Sequence, residues 1–238
     1  MNFAEVKAIT VPEGQVTRIV SDGVELWRKS ALPQGYVQKT YIQTDGGQYI
    51  DTGVTAARYA DGLKYIFRGC VTQYLASANN NYFFGCYVNG SRTGNFTANT
   101  STKSTYVIVG NQAAQILVLS GLPTVGEDIT VQLTATSANV PATSGSVNGT
   151  EMIRTSSAVA SRNTAMPEAN VWLFGVNGLP TATKFCGKLY AFSVSAADGT
   201  PLRDFVPCER QSDGEIGLYD TVQGRFYQNA GSGRFTCA

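Results

Sequence analysis

The chain has 238 residues, a formal net charge of +1 and no histidine. So even a balance leaves no basic stripe for phosphates, which argues against a nucleic-acid partner. Charged residues make up 15% and hydrophobic ones 43%, so a core can form beneath a surface of hydroxyls and amides. The length suits one large all-β domain or two small ones.

Residues 1–30 read as a small β-module. Glu5 to Val11 alternates apolar and polar residues, as a half-buried strand does. Pro12-Glu13-Gly14 turns, Val16 to Val20 makes a second strand, and Asp22-Gly23 is a hairpin signal before Val24 to Trp27. Three short strands bury little alone, so the module needs a partner, with Trp27 as its core plug or docking contact. No apolar run approaches the roughly 18 residues of a membrane span. The opening residues, Met1 to Glu13, also lack a basic region followed by an apolar one. That predicts a protein without a membrane span that stays in the cytoplasm of the producing cell until lysis.

Residues 31–238 read as a second domain. Tyr36 to Thr44 alternates as one strand, Asp45-Gly46-Gly47 turns, and Gln48 to Gly53 follows. Further strands are predicted at Leu63–Val71, Tyr82–Val88, Tyr106–Val109, Ile116–Leu119, Ile129–Ala135, Glu151–Arg154 and Val171–Val176. Turn residues separate them, among them Asn79 to Asn81, Asn89-Gly90, Asn95, Asn148-Gly149 and Asn177-Gly178. Short β-branched and aromatic runs at this spacing are the pattern of an antiparallel sandwich or jelly roll.

The closing stretch, Phe185-Cys-Gly-Lys-Leu-Tyr190 through Asp213-Gly-Glu-Ile-Gly-Leu-Tyr-Asp220 to Gly224-Arg-Phe-Tyr-Gln-Asn-Ala-Gly231, resembles the last strands of a laminin-G-like (concanavalin A-like) jelly-roll sandwich. Sandwiches of this kind are carried on virion proteins of phages and prophages of gut bacteria. Leu32-Pro-Gln-Gly-Tyr36 with Gln48-Tyr-Ile-Asp-Thr-Gly53 is similar to the opening strands of the same family. The run Ile9 to Gly14 followed by Asp22 to Trp27 is similar to small N-terminal modules of virion proteins, which implies virion attachment through Trp27. The resemblance implies a non-enzymatic virion protein that adheres to bacterial surface or mucosal glycans. Its partners would be other virion proteins and copies of itself, in a homo-oligomer such as a trimer. Rival implications are a purely structural capsid or tail decoration protein and a polysaccharide depolymerase.

Candidate site residues follow from chemistry. Glycan binding needs aromatic platforms beside amide or carboxylate hydrogen-bonding groups. Near predicted loop ends these types are supplied by Tyr74, Asn79, Asn80, Asn81, Tyr82, Tyr87, Asn95 and Asn177. Glycoside hydrolysis needs two carboxylates flanking the bond; Asp213 and Glu215 are the one pair at alternate-residue spacing, and they fall where a turn is expected. Without histidine, a Ser or Cys nucleophile would lack its usual base, and neither a Gly-x-Ser-x-Gly elbow nor a phosphate loop is present. The five cysteines show no Cys-x-x-Cys spacing, so they read as buried thiols rather than a zinc site. No motif calls for a cofactor. The family resemblance implies a calcium ion near the sandwich rim, with Asp45, Asp51 and Asp61 as candidates, but no Asp-x-Asp ligand run supports it.

Overall fold

The structure is a computed structural model describing residues 18–21, 24–28, 32–59, 61–75, 80–111, 115–135, 143–154, 167–179 and 185–238. They fall into two compact units, Met1–Pro33 and Gln34–Ala238. In the first, β1 (Arg18–Ser21) and β2 (Val24–Arg28) pair antiparallel, with Trp27 opposite Ile19. The strand expected at Glu5 to Val11 lies outside the described residues.

The second unit is a jelly-roll β-sandwich, the all-β class the sequence predicts. Its larger sheet runs β14 (Thr150–Glu151), β13 (Ser144–Val147), β12 (Asp128–Ala135), β6 (Leu63–Gln73), β17 (Cys186–Ala196), β18 (Pro201–Arg210), β19 (Glu215–Asp220), β20 (Arg225–Tyr227). The smaller runs β15 (Ile153–Arg154), β11 (Gln115–Ser120), β10 (Ser104–Asn111), β9 (Ser91–Asn99), β7 (Asn80–Gly85), β16 (Asn170–Leu173), β5 (Ile50–Thr55), with β8 (Tyr87–Val88) on the side of β9. All pairings within these sheets are antiparallel. The one 3-10 turn among the described residues spans Ala56–Arg58, and no helix there is long and apolar enough to cross a membrane.

Period-two patterning sets which side chains meet between the sheets. In β12, Ile129, Val131, Leu133 and Ala135 are buried while Asp128 and Gln132 face out. In β6, Leu63, Tyr65 and Phe67 point inward and Ile66 and Arg68 outward. The smaller sheet answers with Phe83, Phe84, Phe96, Val107, Val171 and Leu173. A run of rings crosses the core: Phe84 to Phe192 at 5.4 Å, Phe192 to Phe205 at 6.2 Å, Phe205 to Tyr227 at 5.2 Å. Each such pair adds about 0.5–1.5 kcal/mol beyond its buried area. Cys70, Cys86, Cys186 and Cys208 are buried and Cys237 half-buried, all as thiols.

Several expectations change. The strand expected over Glu151–Arg154 divides between the two sheets as β14 and β15, and Asn80 and Asn81, expected at a turn, lie in β7. The single strand expected from Tyr36 to Thr44 is two, β3 (Tyr36–Gln38) and β4 (Ile42–Thr44), because β17 and β18 pair only along part of their lengths. β3 pairs with the far end of β18, while β4 pairs with the start of β17 and with β21 (Thr236–Cys237). The jog between them is held by Lys39 N donating to Pro207 O and Thr40 N to Ala238 O. The strand expected over Tyr82–Val88 breaks into β7 and β8. Asn95, expected at a turn, lies inside the nine-residue β9. By contrast, Asn148 (φ +50) and Gly149 (φ +79) form the tight β13–β14 turn that the Asn-Gly pair predicts.

Candidate functional site

The residues proposed from the sequence mostly pack rather than face solvent. Asn79 lies outside the described residues. Asn81 is 1% exposed, and its Oδ1 accepts from Leu75 N at 3.1 Å. Tyr82 is 6% exposed, and burial raises its hydroxyl above the ordinary phenol pKa. Asn95 is fully buried against Gly85, where any Cβ would overlap its amide oxygen. Tyr87 N donates to Asn177 O at 2.7 Å, Asn177 Nδ2 donates to Asn170 O at 3.0 Å, and the Arg92 guanidinium covers the Tyr87 ring at 4.8 Å. The structure thus brings Tyr82, Tyr87, Asn95 and Asn177 together around β7–β9, with Tyr82 and Asn95 buried and Tyr87 and Asn177 half-buried. Tyr74 donates its hydroxyl to Pro123 O at 2.6 Å.

The acidic candidates are engaged locally. Asp45 Oδ1 accepts from Gly47 N and Asp51 Oδ1 from Gly53 N, each closing its own turn, while Asp61 is exposed. Among the described residues no three His, Cys, Asp or Glu side chains gather as a metal site would need. Asp213 sits on the exposed β18–β19 turn, where Arg210 Nη2 reaches it at 2.6 Å and Glu215 N donates to it at 3.2 Å. The hydrogen bond from Arg210 holds its carboxyl below the usual range. A carboxylate kept ionised in this way is unsuited to protonate a leaving group.

A better site lies where two sheet edges meet, β5 of the smaller sheet and β20 of the larger. A cavity of about 620 Å³ there is lined by Asp51, Asn170, Arg203, Arg225, Tyr227 and Gln228, among others. Arg203 is its fixed floor. The alternation of β18 turns it inward at 9% exposure, where Nε donates to Thr52 O at 2.8 Å and faces Asp220 Oδ2 at 3.5 Å. With the Gln223 amide assigned in the orientation that satisfies both neighbours, its oxygen accepts from Arg203 Nη1 at 2.8 Å and its nitrogen donates to Tyr227 Oη at 2.8 Å. Asp220 Oδ1 in turn accepts from Asp204 N and Val222 N. The guanidinium is therefore paired and hydrogen-bonded, the condition under which a buried charge is tolerated. Arg225 is exposed above the Tyr227 ring, 5.2 Å from its centroid.

A second, smaller cavity of about 200 Å³ adjoins it. Trp172, which lines this one, is the cross-strand partner of Asp51, which lines the larger. Likewise Gly231 lines one and Ala230 the other. In the sequence Val171-Trp172-Leu173 the flanking residues are buried, so the indole faces outward and stacks on Tyr49 at 3.9 Å and 20°. The surrounding loops are clipped together: Ala230 N donates to Tyr49 O, Ser232 N to Gly47 O, and Tyr49 N to Asn229 Oδ1. The combined site offers half-exposed ring surface, a carboxylate, amides and an exposed guanidinium on a braced frame. That is equipment for holding a polyhydroxylated ligand. Sequence reading did not single out Tyr49, Asn170, Arg203 or Tyr227; for Trp172 the period-two pattern was the available signal.

No family model matches the sequence, and no curated protein does either. Among solved structures, a candidate carbohydrate-binding protein from Bacteroides ovatus is 14% identical, with a TM-score of 0.48 over 85% of this chain and 60% of that one. The CBM40 module of the Ruminococcus gnavus IT-sialidase, bound to sialyllactose, is 14% identical, with a TM-score of 0.48 over 66% of this chain and 90% of the module. A heptameric SAP-like pentraxin from Limulus polyphemus is 11% identical, with a TM-score of 0.44 over 67% of this chain and 74% of its own. At this level of overlap, the ligands and assemblies of those proteins say nothing about this chain.

Proposed function

We propose that this protein is a non-catalytic glycan-binding module whose site is the β5–β20 rim. The observation that carries the reading is the adjacency of two cavities, one walled by the Tyr49–Trp172 stack and the other by Asp51, Asn170, Arg225 and Tyr227. Aromatic faces bind the apolar face of a sugar ring, and convergent polar groups fix its hydroxyls. The only acidic pair considered for hydrolysis, Asp213 and Glu215, lines neither cavity.

The setting proposed rests on the sequence resemblance alone: a phage or prophage particle assembled in the host cytoplasm and released by lysis. There residues 1–30 attach the chain through Trp27, and the sandwich faces outward in a homo-oligomer. Immunogold labelling of purified particles tests the location.

The binding test is a glycan array with the full chain, followed by calorimetry on the best ligand. Trp172→Ala and Asp51→Asn should each weaken binding about tenfold or more while leaving the melting transition cooperative. Undiminished binding by both variants would place the site elsewhere. A chain that binds no glycan yet adheres to virion shells is a structural decoration protein.

A further inference from the structure

Resting on the glycan-binding reading, we infer that the small cavity beside the Tyr49–Trp172 stack receives the acetamido group of an N-acetylated amino sugar. The cavity holds about 200 Å³, below the roughly 300 Å³ at which sites for drug-sized ligands begin. It therefore suits one substituent or one ring rather than a chain of sugars.

Its chemistry is selective. Trp172 Nε1 is buried and has no hydrogen-bond acceptor, a state that buried donors rarely keep. The indole N–H can only donate, so what it lacks is an acceptor oxygen. Of the other polar side chains lining the cavity, Ser232 Oγ donates to Gly47 O at 3.4 Å and Gln48 is already committed. Its Oε1 accepts from Thr44 Oγ1 at 2.7 Å and Asp45 N at 3.1 Å, and its Nε2 donates to Arg234 O at 3.1 Å. Phe174 and Val176 contribute apolar lining to the same cavity. Phe174 is held at φ +68, a left-handed conformation rare for an aromatic residue. It is 2% exposed, and its N donates to Phe83 O at 2.7 Å. Strain of this kind, over-determined by packing, is a feature of ligand clamps. A carbonyl oxygen for the indole and a methyl for Phe174 and Val176 are the two ends of an acetamido group. A plain hydroxyl supplies the first and not the second.

Calorimetry of the full chain compares N-acetylglucosamine and N-acetylgalactosamine with glucose and galactose. The expected result is about a tenfold preference for the N-acetylated member of at least one pair. Trp172→Phe keeps a ring for the stack and removes the N–H; it should reduce that preference about fivefold, the worth of one net hydrogen bond. In the unaltered protein, the indole ¹H–¹⁵N resonance of Trp172, assigned by its loss in Trp172→Phe, should move downfield with N-acetylglucosamine and not with glucose. Equal affinity for both sugar classes with a stationary indole resonance overturns the inference and leaves glycan binding standing. Failure of every sugar to bind overturns both.

Discussion

At two edges of the sandwich the described residues line cavities of nearly equal size and quite different make-up. The β5–β20 edge holds about 620 Å³ and the β14–β15 edge about 670 Å³. The second is lined by Lys64, Ile66, Gln132, Ser144, Ser146 and Glu151, among others, and the ring it touches, Tyr65, is a core residue at 1% exposure. Its border strands are two residues each, and Ile153 stands 72% exposed. The first edge has rings facing outward, a floor fixed by the Arg203–Asp220 pair, and loops clipped by backbone hydrogen bonds. Volume does not distinguish them. What does, among the described residues, is the half-exposed ring stack and the buried ion pair of the first edge; side chains already held in place cost less to order on binding.

Substitutions at the two edges can break this contrast. The largest effect belongs to Arg203→Ala, which leaves Asp220 buried without its counter-ion. A loss of about 3–5 kcal/mol in urea unfolding is expected, against about 0.5 kcal/mol or less for Glu151→Ala at the other edge. Equal losses would mean that the first edge is no better braced than the second. Next, Arg225→Ala should weaken glycan binding by roughly 1 kcal/mol, about fivefold; Gln132→Ala should leave it unchanged on the same array. A reversal would move the ligand to the β14–β15 edge. Gly149→Ala forces a Cβ into the left-handed turn that shapes the β14–β15 edge, with an expected cost of about 1 kcal/mol by thermal melt and no change in binding.

Two smaller effects sharpen the account of the shared core and the neighbouring turn. Burial pushes the Cys208 thiol up to about 12. Its neutral form is thus favoured by the folded state, and the resulting stability is present below the unfolded thiol pKa of about 8.5 and fades as pH rises beyond it. At pH 8, Cys237 should react with a thiol reagent first, while Cys70, Cys86, Cys186 and Cys208 react only on unfolding; early labelling of Cys208 would contradict its burial. Finally, Asp213 has a folded pKa below its unfolded value of about 3.9. Its contribution is present above that value and is lost as pH falls through the folded pKa. Carbon-detected NMR titration should show the depression shrink in Arg210→Met, with the part owed to the Glu215 backbone N–H remaining.

The sandwich was largely legible because alternation is local: Ile129, Val131, Leu133 and Ala135 declare their face within one strand. The Asn148-Gly149 turn was legible for the same reason. The site was not. Asparagines near expected loops looked like surface hydrogen-bonding groups, yet Asn81 and Asn95 went into the packing, and Asn95 sat mid-strand. Tyr49 and Trp172 are 123 positions apart by their numbering, and Thr52 and Arg203 are separated by 151. No window along the chain shows such pairs meeting.

Composition and pattern alone carry the class of fold, the inward and outward faces of most strands, and the scarcity of charge. Those properties follow from composition and from the two-residue period of an extended chain. Only the tertiary structure decided that β5 and β20 share an edge, that Arg203 is anchored beneath it, and that the Trp172 indole N–H is left without an acceptor. These depend on which distant strands become neighbours, and strand pairing is a long-range choice that short-range pattern does not encode.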